Sequence, residues 1–138
     1  MTQIAFLGTG LLGSAFAEAA LGRGDVVTVW NRTAAKARAL EPLGARVATS
    51  AALAVQGAER IHVVLKDDDA VEAVIAACRD ALAPNAVIID HTTTLPARTA
   101  ARSDALNAAG VRYLHCPVFI GPAAARKGAG CRAESTRP

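Results

Sequence analysis

The sequence predicts an α/β chain built on a doubly wound, mainly parallel sheet with helices on both faces. Three observations carry this expectation. Short apolar runs alternate with helical patterns up to about residue 127 of the 138. The strand-like runs are almost continuously apolar, as strands buried on both faces are. Alanine rather than aromatic residues supplies much of the 52% apolar fraction, which favours helices packed closely on a sheet. The length suits a single domain with its own core.

Each element follows from its local pattern. "QIAFL" (3–7) is an apolar run ending at Gly8, a buried strand. "LLGSAFAEAALGRG" places apolar residues at helical spacing, with Gly22 and Gly24 ending the helix. "DVVTVW" (25–30) is β-branched and apolar, a second strand. "TAAKARALEPLG" reads as a helix with Thr33 as its N-cap. "ARVAT" is a short third strand, and Ser50 opens the short helix "SAALAVQGA". "RIHVVL" (60–65) is the fourth strand, followed by "DDDAVEAVIAACRDAL", a helix whose first turn is acidic where the helix dipole favours it. "NAVIID" (85–90) is the fifth strand; after "HTTTLP" come the helix "ARTAARSDALNAAG" and a sixth strand, "VRYLHCPV". Right-handed crossovers between parallel strands then leave the doubly wound sheet as the leading topology.

In such a sheet ligands bind beyond the C-terminal strand ends, beside the first strand. "GTGLLG" lies there, with Gly8, Gly10 and Gly13 in the spacing G-x-G-x-x-G between a strand and a helix. Gly8 permits the tight turn, Gly10 lets the backbone approach a pyrophosphate, and Gly13 lets the helix pack close to the strand. Free N–H groups at the helix start supply an anion site. The glycines could serve packing alone, but the strand, helix and second strand around them all agree with a dinucleotide-binding, Rossmann-type unit. Gly8, Thr9, Gly10, Leu11 and Leu12 are the candidate cofactor-binding residues of this loop.

The second strand ends in "WNRT", where an NAD-preferring site usually carries a carboxylate for the adenosine 2′-hydroxyl. Asn31, Arg32 and Thr33 stand there instead. A guanidinium can pair with a 2′-phosphate that a carboxylate would repel, and Lys36 lies one helical turn from Arg32. The pattern favours NADP, with NAD less favoured; a helix start with solvated charges is the alternative.

Charge and cysteine usage exclude other classes. The formal net charge is +3, with the basic residues scattered and no aromatic stacking platform, so nucleic acid is not an expected partner. The apolar N-terminus lacks a basic leading region and is interrupted by Glu18, which argues against a signal peptide or membrane helix. Cys78, Cys116 and Cys131 are widely spaced with no CxxC, which reads as reduced thiols in a cytoplasmic protein without a metal site.

These residues, in this order, resemble the cofactor domain of the β-hydroxyacid dehydrogenase family, which includes 3-hydroxyisobutyrate and 6-phosphogluconate dehydrogenases and the related imine reductases. The resemblance covers roughly residues 3–128. "IAFLGTGLLGSAFAEAAL" is similar to the family's opening Gly-x-Gly-x-Met-Gly stretch, with Leu12 at the methionine position, and "WNRT" looks like its NADP-using members. "VVLKDDDAV" resembles the strand end beside the nicotinamide, with Lys66 where many members have proline; the resemblance implies backbone contacts from Leu65 and Lys66. "DHTTTLP" resembles Asp-x-Ser-Thr-x-x-Pro and implies Thr92 as substrate-binding and Thr93 near both nicotinamide and substrate. By chemistry alone, those threonines could simply cap the next helix. "HCPVFIGP" resembles the family's substrate loop, implying a role for Gly121, while Phe119 and Ile120 replace a small polar pair and suggest a more apolar pocket. His115 at a strand end reads as structural or as a general base.

The resemblance implies hydride transfer between NADP(H) and a small-molecule hydroxy acid or semialdehyde, with the proton donor a lysine on an all-helical second domain. Lys36, Lys66 and Lys127 are this chain's lysines and none matches it, so no catalytic residue is assigned. The expected organisation is a cofactor domain over 1–128 and an irregular, disordered tail over 129–138. The helical domain is expected to be absent through truncation or a frameshift, and with it any homodimer or tetramer. The chain would then be inactive alone. A stand-alone NADP-binding module or sensor, or the cofactor domain of an imine reductase-like enzyme, are the alternatives.

Overall fold

The computed structural model describes residues 2–117. Gly121, Lys127 and the division at residue 128 lie outside the described residues. Along the chain run β1 (Gln3–Leu7), α1 (Leu11–Gly22), β2 (Val26–Trp30), α2 (Ala34–Arg38), β3 (Arg46–Val47), α3 (Ala51–Val55), β4 (Arg60–Val63), α4 (Asp68–Cys78), β5 (Val87–Asp90), α5 (Pro96–Ala108) and β6 (Arg112–His115). The six strands form one sheet in the order β3-β2-β1-β4-β5-β6, and every pairing is parallel. This is the doubly wound Rossmann-type topology, whose strand order reverses between β1 and β4.

Alternation along β1 divides the core. Ile4 and Phe6 pack with Val27, Val29, Ala17, Ala20, Ala37 and Leu40, burying α1 and α2 on one face. Ala5 and Leu7 pack on the other face with Ile61, Val63 and Ile88 against Val55, Val71, Ile75 and Leu106 of α3, α4 and α5. The buried side of α1 is Gly13, Ala15, Ala17 and Ala20, small residues that let its axis lie close to the sheet.

Several elements are shorter than their sequence patterns suggest. The helix expected over 33–44 stops at Arg38 and resumes as a 3-10 turn over Glu41–Leu43. Pro42 has no N–H for a bond back to Arg38, and Gly44 turns the chain at φ +104°. Thr33 occupies the N-cap position of α2 but its side chain makes no capping bond. Ser50 does cap α3, accepting from Leu53 N at 3.1 Å. The fourth strand ends at Val63 rather than at residue 65: Val64 N still reaches Leu7 O at 3.0 Å, but Leu65 N turns to a threonine hydroxyl. The sixth strand ends at His115, one bond short of Cys116 N to Asp90 O, and Pro117 cannot donate further.

Two glycines are required by contacts. Gly8 sits at φ +106°, and a Cβ there would lie 2.1 Å from the carbonyl oxygen of Val64. A Cβ on Gly13 would lie 2.1 Å from the carbonyl oxygen of Gly8. Both neighbours are backbone, so neither can swing aside. Gly8→Ala and Gly13→Ala are each expected to destabilise the fold by about 1–3 kcal/mol, the range for overpacking a close contact. Urea unfolding followed by circular dichroism measures it; an unchanged midpoint in either variant would contradict the packing described.

Candidate cofactor site at the strand ends

The C-terminal ends of β2, β1, β4, β5 and β6 lie side by side, so the loops that follow them form one edge. At its centre, the loop between β1 and α1 is pinned by four bonds. Gly8 N donates to Trp30 O at 2.8 Å, Thr9 N to Asn31 Oδ1 at 2.9 Å, and Ser14 N to Gly10 O at 2.9 Å. The Ser14 hydroxyl donates to Thr9 O at 2.8 Å. Asn31 completes its own bonding by donating from Nδ2 to Thr33 O at 3.0 Å. The asparagine at the end of β2 is thus a latch between the glycine loop and the start of α2.

The start of α1 is unlike the starts of α3 and α4. Ser50 and Asp67 cap those helices, and α4 adds Asp68 and Asp69 in its first turn. Gly10 caps nothing by side chain, and the first turn of α1 has no acidic residue. The first-turn N–H groups therefore face an approaching anion without competition from a capping carboxylate. Two further features fit a bound dinucleotide. A Cβ built on Gly10 would meet nothing within 4 Å, so the folded chain itself does not require glycine there. The Thr9 hydroxyl is buried and has no hydrogen-bond partner among the described residues. An atom that should not be left unpaired, beside an open glycine, is what a ligand's oxygen would satisfy.

Arg32, Thr33 and Lys36 are all exposed beyond the end of β2, beside this loop. Leu11, 78% exposed, projects from the first turn of α1, and Leu12 is half-buried behind it. Lys66 is exposed after β4; Leu65 is half-buried, and its N–H is already committed to Thr92 Oγ1 at 3.0 Å. Only its carbonyl and side chain remain for a ligand. Thr92 is itself buried, its N–H donating to Asp90 Oδ1 at 3.0 Å, whereas Thr93 is exposed at the edge. The threonines do not cap α5 in the ordinary way: Leu95 is the N-cap residue, Pro96 opens the helix, and Thr94 pairs with the hydroxyl of Thr99. His115 Nε2 donates to Thr92 O at 2.8 Å, so the ring braces the threonine loop.

Two groups of residues carried no signal in the sequence. His62 and His91 are buried side by side, Nδ1 of the first 2.8 Å from Nε2 of the second, while His91 Nδ1 donates to Cys116 O at 2.9 Å. His62 stacks on Phe6 and on His91, and Phe16 lies tilted against His91, tying β1, β4, the end of β5 and α1. On the opposite face Tyr113 OH donates to Asp90 Oδ2 at 2.5 Å and accepts from Arg102 Nε at 3.1 Å. Arg102 also donates to Asp68 Oδ1 at 3.0 Å and to Glu72 Oε2 at 2.8 Å. The strand-and-helix pattern places these side chains inward but gives no hint of which polar partners meet there. Burial and the Asp90 carboxylate push the Tyr113 hydroxyl well above the ordinary tyrosine range. Burial alone raises Cys78 to about 11, so its thiol is inert. Among the described residues no group of three histidines, cysteines or carboxylates could hold a metal ion, and no helix is long and apolar enough to cross a membrane.

The sequence profile of the NAD binding domain of 6-phosphogluconate dehydrogenase matches residues 3–136. The chain belongs to that family. An NADPH-dependent reductive aminase from Aspergillus oryzae is 33% identical over 122 residues, 87% of this chain and 40% of the aminase. The fold superposes on 3-hydroxyisobutyrate dehydrogenase from Mycobacterium tuberculosis, solved with L-serine, with a TM-score of 0.87 at 27% identity, covering 92% of this chain and 44% of that one. A reductive aminase from Aspergillus terreus, solved with NADPH and ethyl levulinate, gives 0.80 at 31% identity, covering 90% and 43%. The chain spans less than half the length of these relatives. What is shared is the nucleotide-binding domain of oxidoreductases that include hydroxyacid dehydrogenases and imine reductases.

One consequence concerns acid. Asp68 accepts Leu95 N at 2.9 Å and pairs with Arg102, and these bonds hold its carboxyl below the ordinary value of 3.8. A carboxyl lowered on folding contributes stability that is complete above the unfolded value and is lost as pH falls through the folded one. Melting temperature should therefore drop on acidification below about pH 4, with a shallower fall in Asp68→Asn. Identical acid limbs in the two proteins would rule out this contribution.

Proposed function

We propose that this chain is the NADP(H)-binding half of a reductase of this family, and that binding without turnover is what the chain does by itself. The observation that carries NADP over NAD is the end of β2. Arg32 stands exposed there with Thr33 and Lys36, and no carboxylate is present to accept from a ribose 2′-hydroxyl or repel a 2′-phosphate. Arg32 and Lys36 would hold the 2′-phosphate, and Asn31 would set their position through its latch on Thr9 and Thr33. Gly8, Thr9, Gly10, Leu11 and Leu12 would hold the pyrophosphate, with the Thr9 hydroxyl offering a donor. Leu65, Lys66 and Thr93 would face the nicotinamide half, which supplies the hydride when the cofactor is bound. Thr92, buried behind Thr93, would act by fixing Leu65 more than by touching substrate; Gly121 is retained as a substrate-side position.

Hydride addition to a carbonyl or imine also requires a proton donor. The family resemblance implies a lysine for this role; among the described residues the lysines are Lys36, assigned to the phosphate, and Lys66, at the cofactor's edge, and neither is assigned to it. The substrate class is a small hydroxy acid or semialdehyde, as the dehydrogenase relative suggests. A second reading, a C=N substrate, is favoured by the reductive aminase relatives and by Phe119 and Ile120 in the substrate-side segment.

Calorimetric titration tests the cofactor assignment. NADPH should bind more tightly than NADH, and Arg32→Ala should weaken NADPH about tenfold, as loss of a charge-assisted hydrogen bond does, with little change for NADH. Equal affinity for the two nucleotides in the unsubstituted chain would overturn the NADP reading.

A further inference from the structure

We propose that the buried chain Asp68–Arg102–Tyr113–Asp90 is a positioning device that sets the threonine loop, and through it Thr93 and Leu65, against the nicotinamide half of the dinucleotide. The proposal rests on the cofactor reading above.

The segment 91–95 between β5 and α5 has no regular structure. His91 N still donates to Val63 O at 2.9 Å, and beyond it side chains hold the backbone. Asp90 gives one carboxylate oxygen to Thr92 N and the other to Tyr113 OH. Asp68 likewise gives one oxygen to Leu95 N and the other to Arg102 Nη2. Arg102 Nε then reaches Tyr113 OH and closes the path. Both ends of the loop therefore hang on carboxylates, and the free oxygens of those carboxylates are joined to each other through α5 and β6. From the loop the connection continues outward: Thr92 Oγ1 accepts Leu65 N, and a Cβ on Gly8 would lie 3.0 Å from Leu65 Cδ2. The threonine loop and the glycine loop are thus held in register through a single leucine.

Stability alone is a weak account of this chain. The side chains of Arg102 and Asp68 are 4% and 5% exposed, and well-packed apolar residues commonly replace a buried ion pair at no cost. What apolar packing cannot supply is direction. Carboxylate oxygens with fixed partners hold two particular amides at fixed points, which a loop that must present Thr93 to a ligand needs. Tyr113, Arg102 and Asp68 are positioning residues in this sense, acting through Asp90 and the loop.

The test compares two ligands on one protein. 2′,5′-ADP carries the adenosine half and its 2′-phosphate but no nicotinamide; NADP⁺ carries both. In Tyr113→Phe, which removes the hydroxyl between Asp90 and Arg102, NADP⁺ affinity should fall about tenfold while 2′,5′-ADP affinity stays the same. Asp68→Asn, which keeps an oxygen for Leu95 N but turns an amide toward Arg102, should give the same split. Equal loss of both ligands, or a lower melting temperature with the affinity ratio unchanged, would reduce the chain to a structural role and overturn the proposal. If neither variant folds, amide spectra of the unsubstituted chain decide: NADP⁺ must shift Leu65 and Thr93 where 2′,5′-ADP does not, and their failure to move overturns it. Failure of the unsubstituted chain to bind 2′,5′-ADP would instead remove the cofactor reading on which the proposal stands.

Discussion

The close approach of Gly8 to the carbonyl of Val64 is the constraint on which the strand-end edge depends. No other residue could bring the end of β1 against the end of β4 there, because any Cβ would occupy the carbonyl oxygen's place. With Gly8 fixed, Gly13 closes on the Gly8 carbonyl, and α1 begins directly above the sheet with its first turn aimed along the edge. Asn31 then holds Thr9 from the β2 side, and Leu65 packs beside Gly8 from the β4 side. Three loops from three strands meet at one point because one side chain is missing.

The two faces of the sheet are finished differently. Between β1 and α1 the core continues in the histidine pair, whose rings stack on each other and on Phe6, with Phe16 tilted against His91, and whose bonds reach Cys116 O. On the other face the apolar core of α3, α4 and α5 gives way, toward the strand ends, to the ionic chain of Asp68, Arg102 and Asp90. Charges placed at that depth are held only because each has fixed partners. Their placement beneath the threonine loop, rather than elsewhere in the core, is the feature that an account by packing alone leaves unexplained.

Much of the architecture was legible in the sequence because parallel strands buried on both faces announce themselves as apolar runs. All six strands and five helices lie where those runs and helical spacings put them, and the glycine spacing located the loop at the switch point. What was not legible is hydrogen bonding between elements distant in sequence. Pro42 breaks a helix that periodicity alone would continue. Asn31 stood out as a residue in place of a carboxylate and is bound at both ends within the protein. Thr92 read as a substrate contact and is buried with its hydroxyl on Leu65 N. His115 stood out as a residue type at a strand end, while His62, hidden within β4, and His91, the first residue after β5, form the more elaborate arrangement. Each of these depends on which side chains meet across the sheet, and a period of two residues specifies the face but not the neighbour.

The strand-end edge therefore combines two kinds of residue: glycines the fold cannot do without, and one glycine the fold does not use. Gly10 is the second kind, since a side chain there would point into open space at the start of α1. That makes Gly10→Ala the most direct measure of the claim that this edge is a dinucleotide cradle. The melting temperature should stay the same while affinity for NADPH falls by about tenfold or more, because the added methyl stands where a pyrophosphate would rest on the backbone. A variant that melts unchanged and binds NADPH as the unsubstituted chain does would contradict it.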